Sequence, residues 1–453
     1  MTHDEHDSAH PRTGIIPTAT GVIPVPTGSF RLPDAARAAA GELPPTHRGD
    51  ALSSRRRLIY VLLLGALTAL GPFTIDLYLP AFPLLERDFD TTSAAIQLTL
   101  TGTMIGFALG QLVVGPLSDK VGRRVPLLVV TALHVIASMA AAFAPSLALL
   151  GAARVLMGVG AAAGGVVAMA MVRDLFGGRR LVVMLSRLAL VTGVAPVAAP
   201  LIGSALLAVI PWRGIFIVLA AYGVVMLVCA ILALPETRPA ADRTSHETVS
   251  VLHRYRVVLT DRVFLGVLVI GAMTFSGLFS YLSASSFLFQ ETYGFTQVQY
   301  GLLFAANSIG LVIGNQIAAR LAARFGPQWV LAWSTASLLV SATAIIVCDQ
   351  LGLGVWGIVV PLFVFMSTCG FTFPCAQVLA LDRHPEAAGT AASILGATNN
   401  GIAGVISPVV GLISAASGIT GTTMAVVMVG CAAIAVLSLW VVVRPRSLGQ
   451  LAD

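Results

Sequence analysis

Residues 58–85 read LIYVLLLGALTALGPFTIDLYLPAFPLL, and Asp76 is the only charge among them. At 1.5 Å of rise per residue, roughly 20 apolar residues cross about 30 Å of hydrocarbon, so this run alone is long enough to span a membrane. It is the first of a series. Similar runs recur near 94–116, 125–144, 147–172, 183–208, 214–235, 263–288, 299–320, 329–347, 355–380, 389–413 and 422–443, with the first placed at 58–80. The whole chain of 453 residues is 57% hydrophobic and 11% charged, with a mean hydropathy of +0.88. Soluble domains carry about 25% charged residues, and a soluble core of this size could not hide so much apolar surface. In lipid every backbone polar group must be satisfied within its own segment, so the runs predict twelve transmembrane helices in an all-α fold.

Arginine placement sets the orientation. With the N-terminus inside, 21 of the 27 Lys and Arg fall on inner loops and helix ends, among them Arg55–Arg57, Lys120, Arg123, Arg124 and Arg320. Only Arg87 and Arg213 fall on outer loops. That asymmetry predicts cytoplasmic N- and C-termini in a bacterial inner membrane. The pI near 9.4 is therefore an orientation signal and not a nucleic-acid footprint. Residues 1–54, rich in Pro, Gly, Thr and Ala, read as a disordered tail ahead of an uncleaved first span. The longest polar interruption, 236–262, divides a six-helix bundle at 55–235 from a second at 263–446, with a short tail at 447–453. A weak repeat supports the division: FALGQLVVG at 107–115 resembles NSIGLVIG at 307–314, and each precedes a basic loop ending in glycine. Paired six-helix halves around a midplane site are a recurring plan of secondary transporters.

The five cysteines form no C-x-x-C pair and read as small apolar filler. His134 is the only histidine well inside a span and lacks a dyad partner, so neither an enzyme nor a metal or cofactor site is expected. The charges within spans carry more information. Asp76 lies about five residues, roughly 8 Å, outward of the first run's midpoint. A carboxylate there costs on the order of 2.5–3.5 kcal/mol, which taking up a proton relieves. Arg154 is the only basic residue inside a span, at the same depth in the fourth. Two opposite charges at one height need each other or a shared cavity. Tyr78, Ser276, Ser280, Asn307, Asn399 and Asn400 are candidate cavity residues. Pro196, Pro200 and Gly203 predict a kinked, closely packed fifth span. Gly158, Gly160 and Gly164 have no preceding strand and read as helix-packing positions rather than a dinucleotide loop.

The loop after the second span, Gly115-Pro-Leu-Ser-Asp119-Lys-Val-Gly122-Arg123-Arg124, resembles the signature loop of the major facilitator superfamily. Arg154-x-x-x-Gly158-x-Gly160 is similar to its fourth-helix motif, with Met157 where glutamine is usual. The set Gly193 through Pro196, Pro200 and Gly203 resembles the motif of its antiporters. Thr74-Ile-Asp76-Leu-Tyr78-Leu-Pro80, Arg173-Asp174-Leu-Phe, Trp212-Arg213-Gly-Ile-Phe216 and Pro235-Glu236-Thr237 resemble the bicyclomycin/chloramphenicol (Bcr/CflA-type) efflux branch. The second half matches more loosely, since 320–326 lacks the loop acid. The resemblance implies a proton-coupled antiporter, monomeric in the bilayer, that exports amphipathic drugs by alternating access. It further implies that Asp76 is the proton-responsive acid with Arg154 beside it, and that Asp119 and Arg123 latch the cytoplasmic gate. Where some relatives carry a second acid earlier in the first helix this chain has Thr68, so coupling would rest on one carboxyl. The alternative on the same fold is a proton-coupled importer of a small metabolite.

Overall fold

The computed structural model describes residues 13–18, 21–26, 49, 52–238, 251–384, 388–414 and 418–447. Contacts divide the chain into two units, residues 1–52 and 53–453. In the first, β1 (Thr13–Thr18) and β2 (Gly21–Pro26) pair antiparallel from Thr13↔Pro26 to Thr18↔Gly21. Ile15, Ile16, Val22, Ile23 and Val25 favour extended backbone, and a two-stranded ribbon has only edge strands, where proline is tolerated.

The second unit is helical. The first span is α1 (Ser54–Asp76), a single 3₁₀ turn at Leu79–Ala81, and α2 (Phe82–Asp88). Spans two to six are α3 (Ser93–Val121), α4 (Arg124–Ala142), α5 (Leu147–Leu175), α6 (Gly178–Leu207) and α7 (Trp212–Ala233). A linker helix, α8 (Val251–Thr260), leads to α9 (Arg262–Phe287), α10 (Gln297–Phe325), α11 (Pro327–Gln350) and α12 (Gly354–Asp382). The eleventh span breaks at Ser407-Pro408 into α13 (Ala388–Ile406) and α14 (Val409–Ile413); α15 (Gly421–Leu437) ends in a π turn. Among the described residues eleven helical segments are long and apolar enough to cross a membrane. The fifth span is the 30-residue α6, whose apolar part is Gly193–Leu207.

The halves repeat one packing plan. In the first, α3 crosses α5, α4 packs on α7, and α1 on α6; in the second, α10 crosses α12, α11 packs on α15, and α9 on α13. The sequence repeat falls on this plan. At Gly110 a methyl would meet the Val159 carbonyl at 2.7 Å, and at Gly310 the Ser367 hydroxyl at 2.5 Å, so each glycine admits its neighbouring helix at an equivalent crossing. The two loop glycines also match, with φ of 107° at Gly122 and 84° at Gly326, where a side chain would be strained. The halves meet along two seams, α3 against α13 and α6 against α10.

Two ends of the bundle can be told apart. The basic end carries the turns at 122–123, 176–177 and 326 and the linker; the far end carries those at 89–92, 143–146 and 293–296. Described polar contacts between the halves lie towards the far end or midway: Gln290 Nε2 donates to the Pro80 carbonyl at 3.2 Å, Arg87 and Glu291 approach to 3.8 Å, and Ser308 Oγ reaches the Pro196 carbonyl at 3.5 Å. Phe82 and Phe287 meet at a tilt there, with centroids 5.7 Å apart. These contacts close the boundary between the halves at the far end.

Candidate functional site

Asp76 is the last residue of α1, not a mid-helix residue as the unbroken apolar run suggested. Pro80 and Pro83 lack amide donors and end the helix's regular bonding, so the chain turns and resumes as α2. The break sits inside the protein. Asp76 is 5% exposed, and among the described residues its carboxylate makes no hydrogen bond or ion pair. The 3₁₀ turn that follows it packs against α9 and α10 of the other half. Buried on those helices, Tyr281 stacks on Phe304 at 5.8 Å and accepts from Asn307 Nδ2 at 3.1 Å, and the Tyr300 and Ser285 hydroxyls share a bond of 2.9 Å. These groups form an aromatic and hydroxyl-bearing wall of the second half.

Arg154 is fully buried in α5. Its Nη1 donates to the Thr74 carbonyl at 2.6 Å, and its guanidinium lies 4.4 Å from the Tyr78 ring centroid and 5.9 Å from that of Phe216. Thr74 and Tyr78 flank Asp76 in the chain, so acid and base do share one height. They make no described contact: Arg154 is taken up by the Thr74 carbonyl and the Tyr78 ring. The direct Asp76–Arg154 pair is accordingly absent among the described residues. Arg154 instead satisfies one of the orphan carbonyls at the C-terminal end of α1, where a cation is favourable. Its Nε and Nη2 find no partner among the described residues.

Helix α6 ties this break to the second half. A methyl at Gly203 would overlap the Leu77 carbonyl oxygen, so the glycine lets α6 approach the backbone next to Asp76. One turn away, Pro196 and Pro200 expose carbonyls towards Ser308 and Gly301 of α10. The helix-4 glycines pack as read from sequence, Gly158 against Thr103 and Phe107 and Gly160 against His134 and Val130.

The other cavity candidates divide. Asn307 joins the Tyr281 wall, whereas Tyr78 is enclosed within the first half, sharing a 2.8 Å bond with the Thr99 hydroxyl and packing on Phe82 and Phe216. Ser276 and Ser280 are buried and donate to their own helix at Ala272 and Ser276, and Asn399 turns its amide towards Gly271 of α9. Asn400 donates to Gly396 in its own helix at 2.8 Å. Short hydroxyl and amide side chains reach back to the preceding turn when no other partner is near, as Ser276, Ser280 and Asn400 do, whereas the buried Asn399 Oδ1 finds no partner among the described residues. Tyr281 and Tyr300 were missed; a tyrosine among the serines of the seventh run was their only signal.

At the basic end, Asp119 is half-exposed and receives Arg123 Nη1 at 2.6 Å. Arg123 is buried, with Nε on Asp174 at 2.9 Å and Nη1 on the Ser118 hydroxyl at 2.8 Å. Burial alone would lower its pKa, but the hydrogen bond and charge of Asp174, with Asp119 beside it, outweigh that and raise it. Arg124 Nη2 caps the Ile231 carbonyl at 2.7 Å, Gly115 packs on Val166, and Gly122 makes the turn between them.

A family model described as the Major Facilitator Superfamily matches residues 61–408 and 298–451. The chain belongs to the major facilitator superfamily. It is therefore a multi-pass membrane transporter of small molecules and not an enzyme. It is 32% identical to the uncharacterized MFS-type transporter YdgK of Bacillus subtilis, over 80% of this chain and 90% of that one. It is 28% identical to a bicyclomycin resistance protein homolog of Haemophilus influenzae, over 84% and 95%, and 29% identical to multidrug resistance protein D of Escherichia coli, over 79% and 89%. Among solved structures it superposes on a bacterial homolog of the lysosomal transporter Spinster with a TM-score of 0.68 at 15% identity, covering 87% of this chain and 98% of the other. The xylose transporter XylE of E. coli gives 0.66 at 14%, covering 85% and 98%.

Proposed function

We propose that this major facilitator protein exports amphipathic small molecules in exchange for protons. One observation carries the reading: a buried carboxyl, engaged by no described hydrogen bond or ion pair, stands at a helix break whose turn packs against the opposing half. Neutral Asp76 suits the closed boundary, because an ionised carboxylate held there would forfeit hydration without a partner. Ionised Asp76 favours the state in which water reaches it. Proton exchange at this position therefore biases the rocking of the halves, with Arg154 fixing the break on which the carboxyl stands. The arginine excess assigns the basic end to the cytoplasm of a bacterial inner membrane, with both termini inside. The names of the resistance-protein relatives support chloramphenicol- or bicyclomycin-like substrates. Exchange of one proton for one neutral molecule moves one charge inward, and each 100 mV then contributes about 2.3 kcal/mol.

The test is growth of an efflux-deficient bacterium on chloramphenicol, bicyclomycin and a lipophilic cation, with and without this gene, alongside accumulation assays with and without an uncoupler. Resistance that disappears on uncoupling, and in Asp76→Asn at equal membrane abundance, supports the proposal. Undiminished efflux by Asp76→Asn removes the residue from the mechanism, and faster accumulation in gene-bearing cells indicates import.

A further inference from the structure

The basic end holds an arrangement that the signature loop alone does not explain. Helix α4 starts at Arg124, and its N-cap, Arg123, offers no capping side chain. The missing acceptor arrives from 113 residues away. Glu236 Oε1 accepts from the Arg123 amide at 2.8 Å, and Oε2 accepts from the Arg124 amide at 3.2 Å. Oε1 also accepts from the Arg238 amide at 3.0 Å, which fixes the shape of the segment itself. A carboxylate at a helix N-terminus satisfies orphan donors and complements the helix dipole. The next two residues bind the neighbouring helices: Thr237 Oγ1 donates to Asp174 Oδ2 at 3.1 Å, and Arg238 Nη1 donates to Asp119 Oδ1 at 2.9 Å. Arg123 Nη1 occupies that same Asp119 oxygen at 2.6 Å. Residues 235–238 thus strap the ends of α3 and α5 to the start of α4, and the linker to the second half leaves from Arg238.

We infer that Glu236 and Arg238 are positioning residues of the transport cycle: Glu236 builds the signature loop by capping α4, and Arg238 is a counter-ion that holds Asp119 while the far end is closed. The inference rests on the alternating-access reading above. Held by Arg238, Asp119 is kept from pairing across the halves, so this linker residue opposes closure of the basic end. Pairing at a half-exposed site is weak enough to be reversible, which a switch needs.

Amide hydrogen exchange on the full-length protein in lipid nanodiscs tests this without any substrate. Glu236→Ala, which removes both acceptor oxygens, is expected to speed exchange at the start of α4 by about five- to tenfold, the usual consequence of losing a cap. Arg238→Gln is expected to leave those amides unchanged and to increase protection at the basic ends of α3 and α13. Arg238→Lys should restore the wild-type pattern, and Arg238→Gln should add nothing in an Asp119→Asn background. Unchanged α4 exchange in Glu236→Ala overturns the capping role. An Arg238→Gln effect equal in both backgrounds overturns the counter-ion role, and it does so even if the Glu236 variant fails to fold. Failure of every drug to be exported would refute the exporter reading and leave these exchange results standing.

Discussion

Replacing Gly203 by alanine tests the contact that joins the fifth span to the break beside Asp76. The new methyl would overlap the Leu77 carbonyl oxygen and stand 3.0 Å from its carbon and 3.3 Å from its Cα. These are backbone atoms of a chain turn already held by Arg154, so no side chain can swing aside; α6 or the break must move. Overpacking of this kind costs about 1–3 kcal/mol, against which alanine recovers about 0.5–1 kcal/mol of helix propensity. The expected net loss is about 1–2 kcal/mol. Gly193 of the same helix is the control: its methyl would meet only Val312 Cγ2, at 3.8 Å, an ordinary contact, so Gly193→Ala should be neutral or stabilising by up to about 1 kcal/mol. Thermal unfolding read by a thiol-reactive dye suits the measurement, since Cys369, Cys375 and Cys431 are buried until the fold opens. Efflux should fall with stability in Gly203→Ala alone, on the order of tenfold or more, because Asp76 is displaced with Leu77. If both variants melt together and pump equally, the close approach of α6 to the break does not position the carboxyl.

Other contacts give further outcomes. Arg154→Met should keep stability within about 2 kcal/mol, since a buried cation with one described hydrogen bond gains little net energy, yet uncoupler-sensitive efflux should be lost. Arg154→Ala should cost about 2–5 kcal/mol more through the cavity it leaves, and the dye melt separates the two. At Asp261, outside the spans, burial alone would raise the carboxyl's pKa, but the hydrogen bond from Arg383, the Val263 amide and the charges of Arg383 and His384 outweigh it and hold the pKa low. A depressed acid contributes stability above its unfolded pKa and loses it as pH falls through the folded value. The melting gap between wild type and Asp261→Asn should therefore be full at neutral pH and close below the ordinary carboxylate range. At the far end, Arg87→Ala should change stability by less than about 1 kcal/mol, because the 3.8 Å pair with Glu291 is exposed. Gln290→Ala should cost about 1–3 kcal/mol by leaving the Pro80 carbonyl unpaired, measured by the same melts.

Much of this protein was legible along the chain. Apolar length gives the helices, arginine asymmetry orders the loops, and the repeat at 107–115 and 307–314 marks two halves, because each depends on composition within a single segment. Depth was legible too: counting residues put Asp76 and Arg154 at one height, and the guanidinium does lie between Thr74 and Tyr78. The side to which each turns was not. Whether a carboxyl meets an arginine in its own half depends on where a helix breaks and how it is rotated. Neighbouring helices set both, through contacts such as Gly203 on Leu77 and Arg154 on the Thr74 carbonyl. For the same reason sequence did not give the own-helix bonds of Ser276 and Ser280, or Glu236 capping a helix 113 residues away. Transfer into lipid depends on one segment's own apolar content, which sequence records. The pairing of buried polar groups depends on the relative rotation of several packed helices, which only the tertiary structure determines.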